Sequence, residues 1–267
     1  MDEPQTTAAL VVLIFVFALM GYVAVSVALF RIRHRHLTVP KDPSPRDHSF
    51  LLHYLFRQWW YHWARPIVGF LIRHRWHPDG LTYLSLVFAA ASAVLFATSQ
   101  LAYAGFFLLL SGACDSLDGR LARETSRASA RGAFLDSTLD RAGEILVFAG
   151  IVVFLRASPF LYAALAGLGA GVMVSYARAR GHSLGVDFNR GFMQRPERVV
   201  YLAGGAILDP VVRWQVGLGV LDELGGFFAL VVTLVAVLSL ATAVYRVVMI
   251  ARRLDRADWE EPGRAGR

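Results

Sequence analysis

The sequence predicts an all-α integral membrane protein with seven membrane-spanning helices. Hydrophobic residues make up 56% of its 267 residues, and the mean hydropathy is +0.48. Apolar runs long enough to cross a bilayer recur along the chain, and arginines gather in the segments between alternate runs. These three observations indicate a multi-pass membrane protein.

The first predicted element is a transmembrane helix at about residues 7–30. Its apolar run is longer than the core of a signal peptide, and the flank before it, MDEPQ, is acidic where a signal peptide is basic. We therefore predict a retained anchor that stands apart from the other spans. With a polar linker it forms the first unit, residues 1–45.

Residues 46–77 form the second predicted unit, an amphipathic helix on the cytoplasmic surface of the membrane. Apolar side chains recur there at helical spacing with basic residues between them: Phe50, Leu51, Tyr54, Leu55, Trp59 and Trp63. An aromatic face flanked by basic residues is typical of a helix that lies in the membrane interface. The sequence Pro78-Asp79-Gly80 then interrupts the chain before the next span.

The third unit, residues 78–251, is predicted to form a bundle of six helices, and residues 252–267 to form a cytoplasmic tail. The six spans are expected at about 81–98, 102–120, 133–155, 158–177, 199–218 and 226–250. If successive spans cross the membrane in opposite directions, all of the 27 Lys+Arg residues except Arg156 and Arg213 lie on one side of it. Basic residues mark the cytoplasmic side, so we predict that the N-terminus is outside and the C-terminus inside the cell membrane.

The net charge of +7 is thereby assigned to the cytoplasmic face. It is expected to attract anionic lipid headgroups and phosphorylated substrates. Nucleic acid is excluded as a partner, because no soluble basic domain is left to bind it. The single cysteine, Cys114, excludes an internal disulfide and a cysteine-based metal site.

Four carboxylates lie where the sequence predicts membrane. Asp115 and Asp118 are three residues apart, and Asp136 and Asp140 are four apart, so each pair occupies one face of its helix. A charged residue at membrane depth costs about 2.5 to 3.5 kcal/mol on insertion scales, which makes four of them a functional site by default. The polar turn between the two helices lets the pairs face each other on the cytoplasmic side.

Such a cluster needs positive charge, and carboxylate oxygens select Mg²⁺, Mn²⁺ or Ca²⁺. We therefore predict a two-metal site. Gly119, Ala122 and Gly132 lie beside the carboxylates and leave room for a planar or phosphorylated ligand against the backbone. Close helix packing is the alternative explanation of these small residues.

The pattern Asp115-x-x-Asp118-Gly119-x-x-Ala122-Arg123, eight residues, Gly132-x-x-x-Asp136-x-x-x-Asp140 resembles the complete signature of the CDP-alcohol phosphatidyltransferase family. The resemblance covers about residues 78–250 and implies that family's six-helix core. The N-terminal span and the interfacial helix would be additions to it.

The resemblance implies an enzyme that binds a CDP-linked lipid, transfers its phosphatidyl group to an alcohol and releases CMP. Asp115, Asp118 and Asp136 would bind the metal ions, and Asp140 would complete the site and serve as the base. Gly119, Ala122, Arg123 and Gly132, together with Asp115, would line the pocket for the CDP-lipid. Homodimerisation is a further implication of the family.

A second group of residues concerns the acceptor. Arg178, Arg180, Arg195 and Arg198 gather at the cytoplasmic ends of two spans, and guanidinium groups bind phosphate dianions well. A phosphorylated acceptor is therefore expected. Positive-inside topology alone is the alternative explanation of these arginines.

The segments Ser175-Tyr176-x-Arg178-Ala179-Arg180 and Arg195-Pro196-Glu197-Arg198 resemble the acceptor region of the phosphatidylinositol-phosphate synthase subgroup. By this match Ser175, Arg178 and Arg198 would bind the phosphate of inositol 1-phosphate, and Arg246 would join them. The chain departs from the subgroup at Arg178, where lysine is usual, and at His182, where glutamate is usual. These departures leave glycerol 3-phosphate, or the alcohol of a related inositol phosphodiester, as alternative acceptors.

Two other classes of protein share some of these features. A cation transporter also has carboxylates at membrane depth, but it predicts interrupted helices and often internal repeats, and the sequence has neither. A scaffold or anchor accounts for the first span and the aromatic helix but leaves the four carboxylates unexplained.

Overall fold

The structure is a computed structural model that describes residues 54–216 and 219–260. The predicted N-terminal span lies outside these residues. The described part of the chain is all-helical, in agreement with the predicted fold class. Its helices are α1 (Tyr54–Arg73), α2 (Pro78–Ala97), α3 (Leu101–Glu124), α4 (Ala130–Phe154), α5 (Leu161–Ser183), α6 (Arg195–Val216), the short α7 (Val220–Glu223) and α8 (Gly226–Glu260).

Four of the described helices are long and apolar enough to cross a membrane: Pro78–Ala97, Leu101–Glu124, Leu161–Ser183 and Gly226–Asp255. Two of the predicted spans, 133–155 and 199–218, correspond instead to α4 and α6, which are long but more highly charged. The charged side chains of α6 are largely turned into the protein, where Glu197, Arg198 and Asp209 are buried. Charges satisfied inside the bundle explain why these two helices are less apolar than the others.

The six long helices from α2 onward pack around a shared core. α2 packs against α3 and α4, α3 against α6, and α8 against α5 and α6. Phe96 near the end of α2 and Phe228 near the start of α8 stack within this core, with ring centroids 5.2 Å apart. Gly150 of α4 lies directly against the backbone of Ala93, so a side chain at position 150 would force α2 and α4 apart.

Helix α1 lies against the outside of this bundle. One face contributes Ala64, Val68 and Leu71 to a small apolar cluster with α2 and α3. Trp60 of the same helix donates a hydrogen bond from Nε1 to Ser116 Oγ of α3, at 2.7 Å. The opposite side of α1 leaves three large side chains about half exposed: Trp63, Ile67 and Phe70.

Of the predicted unit 46–77, residues 46–53 lie outside the described part of the chain, and Tyr54–Arg73 form a helix. Its apolar residues serve two faces, since Trp59 is buried while Trp63 is exposed. The prediction assigned both tryptophans to one membrane-facing stripe. It did not anticipate that the neighbouring bundle would take part of the apolar surface.

Near the other end of α6, a buried carboxylate links two helices. Asp209 accepts a hydrogen bond from Phe228 N of α8 at 2.7 Å and forms an ion pair with Arg213 at 2.6 Å. Arg213 also donates to the carbonyl of Asp222 at 2.9 Å. The first N–H groups of a helix have no partner within it, so the hydrogen bond from Phe228 N to Asp209 supplies a partner for one N–H group at the start of α8.

Candidate active site

The two acidic pairs meet between α3 and α4. Asp115 and Asp118 lie in the last part of α3, and Asp136 and Asp140 lie near the start of α4. Asp115, Asp118 and Asp136 each offer a carboxylate oxygen, and these oxygens lie within 4.8 Å of one another. The structure therefore brings together the carboxylates that the helical spacing predicted to converge.

Asp118 is the most enclosed member of this cluster, with 4% of its surface exposed. Thr82 of α2 donates a hydrogen bond from Oγ1 to Asp118 Oδ2, at 2.7 Å. This contact directs one carboxylate oxygen toward α2 and fixes the rotamer of the side chain. Sequence reasoning missed Thr82, because a threonine in an apolar helix gives no local signal of a partner 36 residues away.

The cluster fits a divalent cation by its donor chemistry. Its oxygens are hard, anionic ligands supplied by two rigid helices, which is the kind of site that Mg²⁺ and Mn²⁺ bind. Asp115, Asp118 and Asp136 could coordinate one ion together, and Asp140 lies one helical turn after Asp136. No other group of three or more His, Cys, Asp or Glu residues with such spacing occurs among the described residues.

Arg195, the first residue of α6, lies at the edge of this cluster. Its Nη1 atom is 2.7 Å from Asp115 Oδ2 and 2.8 Å from Asp140 Oδ2. We expected Arg195 among the acceptor arginines from its sequence neighbours. The structure places its guanidinium between two carboxylates, one from α3 and one from α4.

The residues predicted to line the CDP-lipid pocket lie beside the carboxylates, near the end of α3 and in the first turn of α4. A Cβ atom at Gly119 would lie 3.4 Å from Nη1 of Arg123, so this arginine folds back over the glycine. Gly132 lies in the first turn of α4, where its N–H group donates to Ser129 Oγ at 3.0 Å. Ala122 is half-buried between them. Small residues thus border the carboxylates on both helices.

The predicted acceptor arginines are placed in three different environments. Arg198 is buried and forms an ion pair with Glu144 of α4, with 2.5 Å between Nε and Oε1. Arg246 of α8 is also buried, and Arg178 and Arg198 are close enough to act on it electrostatically. Arg180 is exposed at the end of α5, with Ser183 as its neighbour at 3.5 Å.

Arg246 joins α8 to α5 and to the segment between α5 and α6. Its guanidinium donates to the carbonyl of Val174 at 2.9 Å, of Arg190 at 3.1 Å and of Asn189 at 3.3 Å. Ser175, the next residue of α5 after Val174, is half-buried. The structure therefore brings Arg246 near Arg178 and Arg198, as predicted, but it also gives Arg246 backbone partners that the sequence could not reveal.

Thr242, one turn before Arg246, holds the same connection. Its Oγ1 accepts hydrogen bonds from the backbone N–H groups of Phe192 at 3.1 Å and Met193 at 3.0 Å. Glu197 accepts from Gln194 N at 3.2 Å. Together these contacts fix the chain that leads into Arg195. Thr242 was not anticipated from the sequence, and Glu197 was named only within the segment Arg195-Pro196-Glu197-Arg198. Glu144 was also missed, although its position one turn after Asp140 was a usable signal.

Comparisons with known proteins indicate one family. Residues 75–221 match the family model described as CDP-alcohol phosphatidyltransferase. An archaetidylinositol phosphate synthase of Methanothermobacter thermautotrophicus is 32% identical, over 66% of this chain and 84% of that protein. A phosphatidylinositol phosphate synthase of Mycobacterium bovis is 34% identical, over 74% of this chain and 86% of that protein.

Solved structures are similar as well. The phosphatidylinositol phosphate synthase of Mycobacterium tuberculosis with CDP-DAG bound matches with a TM-score of 0.60 and 29% identity, covering 76% of this chain and 96% of that one. The same enzyme in complex with manganese and citrate gives a TM-score of 0.61 and 28% identity, with 76% and 91% covered.

Proposed function

The chain belongs to the CDP-alcohol phosphatidyltransferase family, and we propose that it transfers a phosphatidyl group from CDP-diacylglycerol to inositol 1-phosphate. Family membership makes it a transferase of substituted phosphate groups and an integral membrane protein. The observation that supports this chemistry most directly is the convergence of Asp115, Asp118 and Asp136, whose oxygens lie within 4.8 Å of one another.

Two divalent ions, Mg²⁺ or Mn²⁺, are the proposed cofactors, held by the four aspartates. When bound, such ions neutralise charge on the phosphoryl oxygens and align the reacting groups. The manganese found in the similar mycobacterial structure supports this choice. The chain's own contribution is to fix its ligands, and the hydrogen bond from Thr82 to Asp118 is part of that contribution.

Asp140 is the proposed base. It would accept the proton of the acceptor hydroxyl while the acceptor oxygen forms a bond to the phosphorus that carries the diacylglycerol. The bond from that phosphorus to the oxygen of CMP breaks, and CMP leaves with the bonding electrons. Arg195, 2.8 Å from Asp140, would hold the carboxylate in place and reduce repulsion among the four acids.

The CDP-lipid is proposed to bind beside the carboxylates, along Gly119, Ala122, Arg123 and Gly132, with Asp115 at the edge of its pocket. The small residues leave the backbone accessible to the nucleotide, and Arg123 offers positive charge to the pyrophosphate. The acyl chains would remain among the apolar helix faces, while the nucleotide stays on the aqueous side.

The acceptor phosphate is proposed to bind among Ser175, Arg178, Arg180, Arg195, Arg198 and Arg246. Two of these arginines, Arg178 and Arg198, act electrostatically on Arg246, which favours an anion near it. The two relatives that differ in lipid, one archaetidyl and one phosphatidyl, share inositol phosphate in their names. That shared element supports inositol 1-phosphate for this chain.

Glycerol 3-phosphate is a second candidate acceptor, which would make the product phosphatidylglycerophosphate. A cluster of arginines recognises the phosphate of either molecule, and the observation that favours this candidate is the departure from the subgroup pattern at Arg178 and His182. Both positions belong to the segment that would contact the polyol.

The proposed arrangement in the membrane extends the same reasoning. The site would face the cytoplasm, with the N-terminus outside, the C-terminus inside, and residues 1–45 as an additional anchor. The exposed side of α1, with Trp63, Ile67 and Phe70, would lie in the interface. The enzyme is proposed to act as a homodimer, as its family resemblance suggests.

The acceptor can be identified by a direct assay. Purified full-length protein in vesicles is incubated with CDP-diacylglycerol and Mg²⁺, together with inositol 1-phosphate, inositol, glycerol 3-phosphate or serine in separate reactions. We expect release of CMP with inositol 1-phosphate. Release with glycerol 3-phosphate alone would replace the proposal by the second candidate, and release with inositol but not its phosphate would refute a phosphate-binding role for the arginines.

A further inference from the structure

Two ion pairs join α4 to α6 across the inside of the bundle. The outer pair is Asp140 with Arg195, at 2.8 Å, and it belongs to the site described above. The inner pair is Glu144 with Arg198, at 2.5 Å. On α4 the two acids are four residues apart, and on α6 the two arginines are three apart, so both pairs occupy the facing sides of their helices.

The inner pair is almost completely enclosed. The side chains of Arg198 and Glu144 are 2% and 9% exposed. Arg198 also donates from Nη1 to the carbonyl of Met193 at 3.2 Å, whereas its Nη2 atom is buried without a hydrogen-bond partner among the described residues. A small cavity of about 30 Å³, lined by Arg195, Arg198 and Glu144 with their apolar neighbours, lies beside the pair.

The packing around Glu144 leaves space for a carboxylate. Gly171 of α5 is so close that a Cβ atom there would lie 2.7 Å from Glu144 Oε1 and 3.5 Å from Arg198 Nε. The absence of a side chain at position 171 thus accommodates the ion pair. Because both side chains are enclosed, neither can turn to water in place of its partner, and the orientation of the ion pair is fixed.

We propose that Glu144 is a positioning residue for the acceptor site, which holds the guanidinium of Arg198 so that its Nη2 atom faces the phosphate of the acceptor. Glu144 would not touch the acceptor itself. This inference rests on the proposed binding of a phosphorylated acceptor among the arginines.

Charge explains why Arg198 needs a fixed partner. Arg246 of α8 is buried close enough to Arg198 for the two guanidinium groups to repel each other. Without Glu144, the next acid along α4 is Asp140, the proposed base, one turn before it. The Glu144 carboxylate therefore keeps Arg198 out of the metal site and at the acceptor site, while Arg195 remains with Asp140 and Asp115.

A double-mutant cycle on the Michaelis constants tests this role. The variants Glu144→Gln, Arg198→Gln and the double variant are assayed for CMP release, with inositol 1-phosphate and CDP-diacylglycerol varied in turn. We expect each single variant to raise the KM for inositol 1-phosphate about tenfold or more and to change the KM for CDP-diacylglycerol less than twofold. The double variant should be no worse than Arg198→Gln alone, because Glu144 acts only through Arg198.

Several outcomes would overturn the assignment. They are additive effects in the double variant, an equal rise in both KM values, or an unchanged acceptor KM in Glu144→Gln. Where Glu144→Gln does not give folded protein, Glu144→Asp replaces it in the cycle, since aspartate keeps the charge but has a shorter side chain. An acceptor KM equal to the native value in Glu144→Asp would then show that Arg198 does not need to be positioned by residue 144. Glu223→Gln, an exposed change in α7, is the matched control and should leave both constants unchanged.

A measurement on the native protein separates this inference from the proposed function. Inositol 1-phosphate should raise the unfolding temperature of the native protein, and the shift should be lost in Glu144→Gln. A native protein that neither shifts nor turns over with any phosphorylated acceptor contradicts the proposed function, and the role of Glu144 with it. A native shift that persists undiminished in Glu144→Gln contradicts the role of Glu144 alone.

Discussion

Arg195 Nη1 lies 2.8 Å from Asp140 Oδ2 and thereby joins the start of α6 to the acidic face of α4. The same nitrogen is 2.7 Å from Asp115 Oδ2 on α3. One guanidinium therefore connects three helices at the point where the carboxylates meet. The chain that leads to Arg195 is in turn held by Thr242 of α8, so the position of this cation depends on contacts from across the bundle.

Replacing Asp140 by asparagine should abolish CMP release and leave binding of the CDP-lipid nearly unchanged. Asparagine keeps the shape of the side chain but cannot accept the proton of the acceptor hydroxyl, and we expect turnover to fall by at least about 10²-fold. CMP release measures turnover, and the rise in unfolding temperature with CDP-diacylglycerol measures binding. Asp255→Asn, an exposed change near the end of α8, serves as the control. Turnover that survives in Asp140→Asn would rule out its role as base.

Replacing Thr82 by valine should weaken metal binding without removing any metal ligand. The variant loses the 2.7 Å hydrogen bond that orients Asp118, and we expect about 10-fold more Mg²⁺ to be needed for half-maximal turnover. The measurement is a titration of chelator-treated enzyme with Mg²⁺, followed by CMP release. Chelation should stop turnover in both proteins, and saturating Mg²⁺ should restore it in both. An identical Mg²⁺ requirement would show that Thr82 does not orient the ligand.

Replacing Arg246 by methionine should loosen the connection between α5 and α6. The variant loses hydrogen bonds to the carbonyls of Val174, Asn189 and Arg190. We expect faster hydrogen exchange over residues 184–194 and an acceptor KM raised by about 10-fold, since the loop carries the approach to Arg195 and Arg198. Arg156→Gln, an exposed change after α4, is the control. A raised KM with unchanged exchange would mean that Arg246 contacts the acceptor without organising the loop.

Replacing Asp209 by asparagine should lower stability and leave the Mg²⁺ requirement unchanged. Asp209 accepts a hydrogen bond from Phe228 N and pairs with Arg213. These contacts lie toward the opposite end of α6 from Arg195, which borders the proposed metal ligands. Loss of a charged hydrogen-bond acceptor at a buried site costs about 1.5 to 3 kcal/mol, which a lowered unfolding temperature in detergent would reveal. Glu223→Gln is again the exposed control. A changed Mg²⁺ requirement in Asp209→Asn would show that Asp209 influences the metal site as well as stability.

Much of the site was predictable because helical spacing is local information. The intervals between Asp115 and Asp118 and between Asp136 and Asp140 determine that each pair shares a face, and a short polar turn determines that the faces meet. The sequence pattern of Arg198 also marked it as important. What the pattern did not contain was its partner, because Glu144 lies 54 residues earlier in the chain and only the tertiary fold brings the two side chains together.

The fold shows the same division. The apolar runs predicted helices correctly from residue 78 onward, since a long apolar run has few other structures available to it in a membrane. The surface of α1 was less predictable. Its aromatic residues are consistent with a membrane interface in sequence, yet Ala64, Val68 and Leu71 pack against α2 and α3, and only the tertiary structure distinguishes the two faces.

The hydrogen bond from Trp60 to Ser116 has a practical consequence for defining the smallest active protein. Ser116 lies between Asp115 and Asp118 in sequence, on the side of α3 that faces α1. A shortened chain that begins at Pro78 would retain all six long helices of the bundle but expose the back of the turn that carries two of the carboxylates. We therefore expect the shortest active truncation to begin before Trp60, and detergents that detach α1 to inactivate the enzyme before they unfold it.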